Sequence, residues 1–309
     1  MDISAVVVSF NSAKYLERNF LSLFRQTVAF KKVVVVDNAS DDGSHAVMEP
    51  FFGLDKVLLE TNIGYAAAAN LGINRCDSDL VLVANADIFL DGEFNRRVLE
   101  FFARRPQTGL LSPLILRFDG ATVDSAGQDC SLALYPREAG FGRPLARAAL
   151  SERDVFSVCG AATVFSRSAL EKLAIDGEYY DEDFFMFWED FDIGWRARLL
   201  GLKACFTPAA IAYHFRSATL QRSIWSRFSL ALARPAPLRF HLVKNRYLTL
   251  IKNFRWRRCW HRLPFVVLKD LWWVSALTIR SPEIIIALVR SRRLFKKAWK
   301  KRNKIKNHE

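Results

Sequence analysis

Short β-branched and aliphatic runs recur along the N-terminal third of the chain, and a polar turn closes each one. Ile3–Ser9 runs into Phe10-Asn11-Ser12, and the run 33–36 stops at Asp37-Asn38-Ala39-Ser40; runs at 56–59 and 80–84 repeat the pattern. Between them, residues 13–26, 44–52 and 65–75 carry helical spacing. Apolar strands alternating with helices of this length predict βαβ units, an α/β fold, and a mostly parallel central sheet covered on both faces. Ligands of such sheets bind outside the carboxyl ends of the strands. The polar residues gather at those ends: Asn11, Asp37-Asn38, Asn62 and Asn85-Ala86-Asp87.

The pattern then loosens. Residues 105–155, with Pro106, Pro113, Pro136, Pro144 and several glycines, read as loops and short strands around a site. Strand character returns at 157–165, and a short helix follows near 168–173. A helix at 191–200 closes on Gly201. Strands at 203–206 and 210–213 follow, the second running into His214. Beyond it, helical spacing occupies 239–254, 263–279 and 283–298, the last opened by Ser281-Pro282 in cap and first-turn roles.

The charge is unevenly placed. The net +13 divides into 21 Lys and Arg against 29 Asp and Glu over residues 1–214, a balance of −8, and 24 against 3 over residues 215–309, a balance of +21. Two physically different parts share the chain: an α/β domain expected over 1–235 and a basic, Trp-rich helical region expected over 236–309. The five cysteines are scattered with no CxxC pair, which predicts reduced thiols and a cytoplasmic compartment. The opening Met1-Asp2-Ile3 lacks a basic n-region, so no signal peptide is expected.

Chemistry concentrates between Asp183 and Arg196. There Asp183, Glu189, Asp190 and Asp192 sit among Phe184, Phe185, Met186, Phe187, Trp188 and Phe191. Carboxylates against apolar surface are costly to ionise and are candidates for acid–base work. The same acids would also suit the first turn of a helix. Asp37 at its strand end suits a nucleobase or ribose, and equally an Asx turn followed by a cap at Ser40 or Asp42. The small residues of Tyr65-Ala66-Ala67-Ala68-Ala69-Asn70 let a backbone approach a ligand or simply another helix. Asp87 is placed to meet a diphosphate through a divalent cation. His214 joins it as a ligand only if the fold brings the two together.

Taken in order, these motifs resemble the inverting glycosyltransferases of family 2, which have a GT-A fold, and within them bacterial rhamnosyltransferases of O-antigen and cell-wall polysaccharide assembly. The matching residues are Val7-Val8-Ser9-Phe10-Asn11, Asp37-Asn38-Ala39-Ser40, Asn62-Ile63-Gly64 through Asn70, Asn85-Ala86-Asp87, Cys159-Gly160-Ala161, Glu189-Asp190-Phe191-Asp192 and His214. The resemblance implies a nucleotide-sugar donor held by Ser9, Asn11, Asp37, Asn62, Gly64, Asn70, Asn85, Ala86 and Asp87. It implies Asp190 as the general base, and an acceptor side formed by Gly160, Ala161, Trp188 and Glu189. Mg²⁺ or Mn²⁺ would sit on Asp87 and His214. The departure is Asn85, which stands where the family's DxD element has its first acid.

The basic tail interleaves Lys and Arg with Trp256, Trp260, Phe265, Leu268, Leu271, Trp272 and Trp273, a composition that suits an anionic lipid interface. Lys269-Asp270 interrupts 263–279, so peripheral attachment to the inner face of the cell membrane is expected, and no span. That fits a lipid-linked saccharide acceptor, which the resemblance also implies. The tail shows no nucleic-acid-binding module. The competing readings are a UDP-hexose donor (galactose, glucose or N-acetylglucosamine) and a non-catalytic nucleotide- or nucleic-acid-binding protein.

Overall fold

A computed structural model of the protein describes residues 1–215 and 235–308. The N-terminal units are β1 (Ile3–Ser9), α1 (Ala13–Phe24), β2 (Lys32–Asp37), α2 (Ser44–Met48), β3 (Leu54–Leu58), α3 (Tyr65–Asn74) and β4 (Leu80–Asn85). β1 pairs in parallel with β2 on one side and β4 on the other, and β3 extends the sheet beyond β2. Every residue of β1 is buried, as a parallel strand with helices on both faces must be. The register sets Ser9 opposite Asp37 and Val8 opposite Asn85. The polar strand ends therefore share one rim of the sheet.

The second half completes a mixed sheet. After β5 (Ile88–Leu90) and α4 (Phe94–Arg104) come β6 (Thr108–Arg117), β7 (Val123–Ser125), and the hairpin of β8 (Gln128–Cys130) and β9 (Pro136–Glu138). Next are β10 (Arg153–Asp154), β11 (Ala162–Ser166), α5 (Arg167–Leu173), α6 (Glu189–Leu199) and β12 (Lys203–His214). β11 runs antiparallel between β4 and β6, and β12 returns parallel to β6. β5 pairs antiparallel with β12, with Ile88 opposite His214. That ladder carries His214 to the end of the loop holding Asp87.

Several sequence expectations shift. The strand expected at 157–165 forms only from Ala162, because residues 157–161 loop past Asp190 instead. The two strands expected at 203–206 and 210–213 are one, interrupted by a register shift between Thr207 and Ile211. The irregular stretch 105–155 contains a long buried strand, β6, disguised by Pro113. Pro113 lies opposite Thr207, where the ladder breaks and a missing N–H costs least.

The C-terminal helices are α7 (Ala236–Asn253), α8 (Trp256–Cys259), α9 (Leu263–Arg280), α10 (Glu283–Arg290) and α11 (Arg292–His308). The helix expected over 283–298 is thus two, parted at Ser291, and Pro282 takes the cap position itself. The domain junction expected at 235/236 follows residues 216–234, which lie outside the described residues. α7 packs its polar face inward: Lys244, Asn245, Arg246, Thr249, Lys252 and Asn253 are buried. This reverses the usual amphipathic rule because the surface it meets is acidic. Lys252 lies between Asp181 and Asp192, and Lys301 from α11 bonds Glu178 (2.7 Å), Asp181 (2.6 Å) and Asp183 (3.2 Å). Part of the charge asymmetry read from the sequence is thereby neutralised inside the molecule. Among the described residues, no helix is long and apolar enough to cross a membrane. All five cysteines are free thiols.

Candidate active site

α6 begins at Glu189, directly after a run of strained backbone. Phe185, Phe187 and Trp188 adopt φ of +66°, +69° and +72°. Non-glycine residues in this region cost on the order of 1–3 kcal/mol each, and they persist only where the surroundings hold them. Here the holder is the Asn245 amide, which donates to the carbonyls of Phe184 (3.0 Å), Met186 (2.7 Å) and Phe187 (2.8 Å). Phe185 also stacks on His241, with ring centroids 5.0 Å apart. The strain turns the chain so that Glu189 and Asp190 face a cleft of ≈ 430 Å³ lined also by Tyr65, Asn85, Gly160 and His214.

The Asp190 carboxylate is fixed from three sides. Its Oδ2 accepts from Gln128 Nε2 (2.7 Å) and the Gly160 N–H (3.0 Å), and its Oδ1 from the Phe191 N–H (2.7 Å). Burial raises its pKa, while the Gly160, Phe191 and Gln128 donors oppose that rise. Glu189 beside it is raised to about 8, by burial first and the Asp190 charge second, and its Oε2 is buried with no hydrogen-bond partner among the described residues. A Cβ at Gly160 would lie 3.0 Å from Asp190 Cβ and 3.1 Å from its Oδ2, so any larger residue there presses on the carboxylate. Tyr65 donates its hydroxyl to the Gly160 carbonyl (3.1 Å), closing the wall on the α3 side.

Along the rim, Asp37 is fully buried and accepts from the Ser40 N–H (2.8 Å) and Ser40 Oγ (2.7 Å), with His45 Nε2 3.0 Å away. Ser40 Oγ in turn accepts from the Asn11 N–H (2.9 Å). The cap of α2 is Gly43, not Ser40 or Asp42, and Asp42 instead accepts from the N–H groups of Ala13 and Ser44. Asn62 Oδ1 accepts from Asn38 Nδ2 (3.0 Å) and the Gly64 N–H (2.9 Å). Gly64 sits at φ +88°, and a Cβ there would meet Phe185 backbone at 2.7–2.8 Å. Ser9 is buried at the end of β1, its hydroxyl without a hydrogen-bond partner among the described residues.

At the opposite end of the cleft, His214 stands between two carboxylates. Its Nε2 is 3.3 Å from Asp87 Oδ2 and its Nδ1 is 2.8 Å from Asp124 Oδ2. Burial works against protonation, but hydrogen bonds to Asp124 and then Asp87 prevail and raise its pKa to about 9. Among the described residues, no group of three or more His, Cys, Asp or Glu stands ready to hold a metal ion. Asp87 and His214 supply two donors, with Asp124 orienting the imidazole from behind as carboxylate–histidine–metal sites do. That set fits an ion whose remaining ligands are phosphate oxygens and water.

One expected donor contact gives way. Asn70 is buried, donating to the Tyr180 carbonyl (2.8 Å) and Glu182 Oε1 (3.0 Å) and accepting from the Tyr180 N–H (2.9 Å). With both ends of its amide committed, it clamps the 180–182 turn to α3 and does not reach the cleft. Asp124, Gln128, Glu138 and Asn245 were absent from the sequence reading. All four lie in segments without a readable period or on a helix whose polar face looked solvent-facing.

Several solved structures share this fold. GalNAc-T7 with UDP, GalNAc and Mn²⁺ aligns with a TM-score of 0.60 at 14% identity over 81% of this chain, which spans about half (48%) of that one. The Pyrobaculum calidifontis mannosyltransferase PcManGT, solved with GDP-Man and Mn²⁺, aligns at 0.59 with 14% identity over 99% of this chain and 85% of its own. S. aureus TarS 1–349 with UDP aligns at 0.52 with 18% identity, over 100% of this chain and 89% of its own. The fold is therefore GT-A. The chain belongs to glycosyl transferase family 2, whose model matches residues 4–174, more than half of its length. The N-acetylglucosaminyl-diphospho-decaprenol L-rhamnosyltransferase of Mycobacterium tuberculosis is 29% identical over 238 residues, 70% of this chain and 76% of its own. A poly-beta-1,6-N-acetyl-D-glucosamine synthase of Staphylococcus epidermidis is 22% identical over 233 residues, 73% of this chain and 54% of its own.

Proposed function

We propose that the protein transfers L-rhamnose from dTDP-rhamnose, with inversion, onto a lipid-linked saccharide acceptor in bacterial surface polysaccharide assembly. One observation carries the reading: Asp190, held by three hydrogen bonds, shares a cleft with His214, whose Nε2 lies 3.3 Å from Asp87 Oδ2. Asp190 takes the proton from the acceptor hydroxyl as its oxygen attacks the anomeric carbon. The bond to the nucleoside diphosphate breaks on the opposite face, so a single displacement inverts the centre. A positioned base contributes typically ~10²–10⁴-fold. Mg²⁺ or Mn²⁺ bound by Asp87 and His214 would neutralise the diphosphate charge as it departs. Asn85 and Ala86 belong to that same turn.

Ser9, Asn11, Asp37, Asn62 and Gly64 form the nucleoside side of the rim. Gly160, Ala161, Trp188 and Glu189 form the acceptor side, where the apolar wall of Phe187 and Trp188 keeps water from competing with the acceptor. The mycobacterial relative, named for rhamnosyl transfer to a decaprenyl-linked N-acetylglucosamine, supports both the sugar and the lipid carrier. Trp256, Trp260, Phe265, Leu268, Leu271 and Trp272 are exposed beside Arg257, Arg258 and Lys269, which suits a catalytic body resting on an anionic cytoplasmic leaflet. The UDP in the TarS and GalNAc-T7 structures favours a second reading, a UDP-hexose donor.

A thermal-shift panel of nucleotide-sugars with Mg²⁺ and Mn²⁺ separates these. A ligand at 100 times its Kd stabilises the folded state by about 2.7 kcal/mol. dTDP-rhamnose is expected to give the largest shift, and a response to UDP-sugars alone would refute the rhamnose assignment.

A further inference from the structure

Gln128 is buried and opens β8, directly across the hairpin from Glu138. Its side-chain nitrogen donates to Asp190 Oδ2 (2.7 Å) and to Glu138 Oε1 (2.8 Å). An amide NH₂ has two protons, and here each faces a carboxylate, so its orientation is fixed: turned over, its carbonyl oxygen would confront two anions. The backbone ties in as well. Gln128 exchanges hydrogen bonds with Ser157 (2.9 and 3.0 Å), whose hydroxyl donates to the Asp190 carbonyl (2.7 Å). Main chain and side chain of Asp190 are thus both anchored to one residue of the 128–138 hairpin, which itself lines the cleft through Gln128, Pro136 and Glu138.

We infer that Gln128 is a positioning residue: its amide, pinned by Glu138, holds the Asp190 carboxylate in the rotamer and charge state that receives the acceptor proton. The inference rests on Asp190 as the base. The other titratable groups around that cleft are Glu189 on the same helix, Glu138 on β9, Tyr65 on α3, Cys159 before β11 and His214 at the end of β12. Three of these six, Asp190 included, are carboxylates, and a neutral double donor among them favours the charged form of Asp190. A hydrogen bond to the charged form favours it, so losing this one raises the pH at which Asp190 ionises.

Three variants test this. Gln128→Glu keeps the shape, removes the donors and adds a charge; Gln128→Met keeps the bulk without either; Glu138→Gln leaves the amide an acceptor. Initial rates with nucleotide-sugar and acceptor, and a ¹³C titration of the Asp190 carboxyl assigned by its loss in Asp190→Asn, are the readouts. Gln128→Glu and Gln128→Met are expected to lower kcat at least about tenfold with donor KM held, and to move the Asp190 titration upward by about one unit. Glu138→Gln, which keeps an acceptor for Gln128 but loses the charge that pins it, is expected to fall between wild type and Gln128→Met in both readouts. An Asp190 titration unchanged in Gln128→Met overturns the inference, whether or not any sugar is transferred. Absence of transfer by the wild-type protein with every donor would instead overturn the proposed function, and the titration would still decide the role of Gln128.

Discussion

Lys252 Nζ lies 2.8 Å from Asp192 Oδ2, and both side chains are about 1% exposed. The pair joins the basic C-terminal region to the helix that carries Asp190, with Asp181 as the lysine's second partner and Asn253 bonding the other oxygen of Asp192 at 2.7 Å. Removing one member of a buried pair strands the other, at a cost of about 3–5 kcal/mol. Lys252→Ala is therefore expected to lose stability on that scale in urea denaturation. A loss within about 0.5 kcal/mol, ordinary for surface changes, would contradict the burial.

Asp190→Asn keeps a carbonyl oxygen for Gln128 and Gly160 and removes the base. The melting temperature is expected to stay near that of wild type while kcat drops ~10²–10⁴-fold. Retention of more than about a tenth of wild-type activity would take Asp190 out of the base role.

Asp124 is fully buried behind His214 and is not itself part of the cleft lining. Its work is orientation, so Asp124→Asn should weaken the response to Mg²⁺ or Mn²⁺ by about 10–100-fold. Titrating the ion against activity or thermal shift would show it. An unchanged ion requirement would mean that His214 serves the fold alone.

Glu189 gives a pH signature. Its proton is held up to about 8 in the folded chain, against 4.5 for an ordinary Glu. Between those values the folded state binds more protons than the unfolded chain, so this residue makes stability fall as pH rises through the interval. Glu189→Gln should abolish that component, leaving the variant more stable relative to wild type at pH 8 than at pH 5. Parallel melting curves for the two proteins across that range would exclude the shift.

The exposed aromatic face beyond α7 should bind vesicles containing anionic lipid more tightly than neutral ones, and salt should weaken the binding. Trp256→Ala/Trp260→Ala together are expected to reduce co-sedimentation without altering transfer to a short, water-soluble acceptor. Equal binding to neutral vesicles would remove the electrostatic part of the argument.

The rim of the sheet was legible because parallel strands advertise themselves. Unbroken apolar runs fixed where β1, β2 and β4 end, and Ser9, Asp37 and Asn85 were left standing there. His214 was only conditionally legible, since its approach to Asp87 depends on the β5–β12 ladder, a pairing of distant segments with no local signal. Asp124, Gln128 and Glu138 were invisible for a related reason. They sit on three-residue strands too short to show alternation. Lys244, Asn245 and Lys252 misled in the other direction: a polar helix face reads as solvent-facing, and only the acidic surface contributed by 178–192 makes it a core. Asn70 was read through its neighbours, yet its buried amide serves the turn at Tyr180.

The Asn245 prop has a consequence for biosynthesis. The segment from Phe184 to Trp188 reaches its shape only when an amide made more than fifty residues later arrives to hold it. A nascent chain that has emerged only through Asp190 thus carries its proposed base on an unsupported loop. Competence to transfer sugar should appear late in translation, after α7 has docked, so incomplete chains would not consume activated sugar to no purpose.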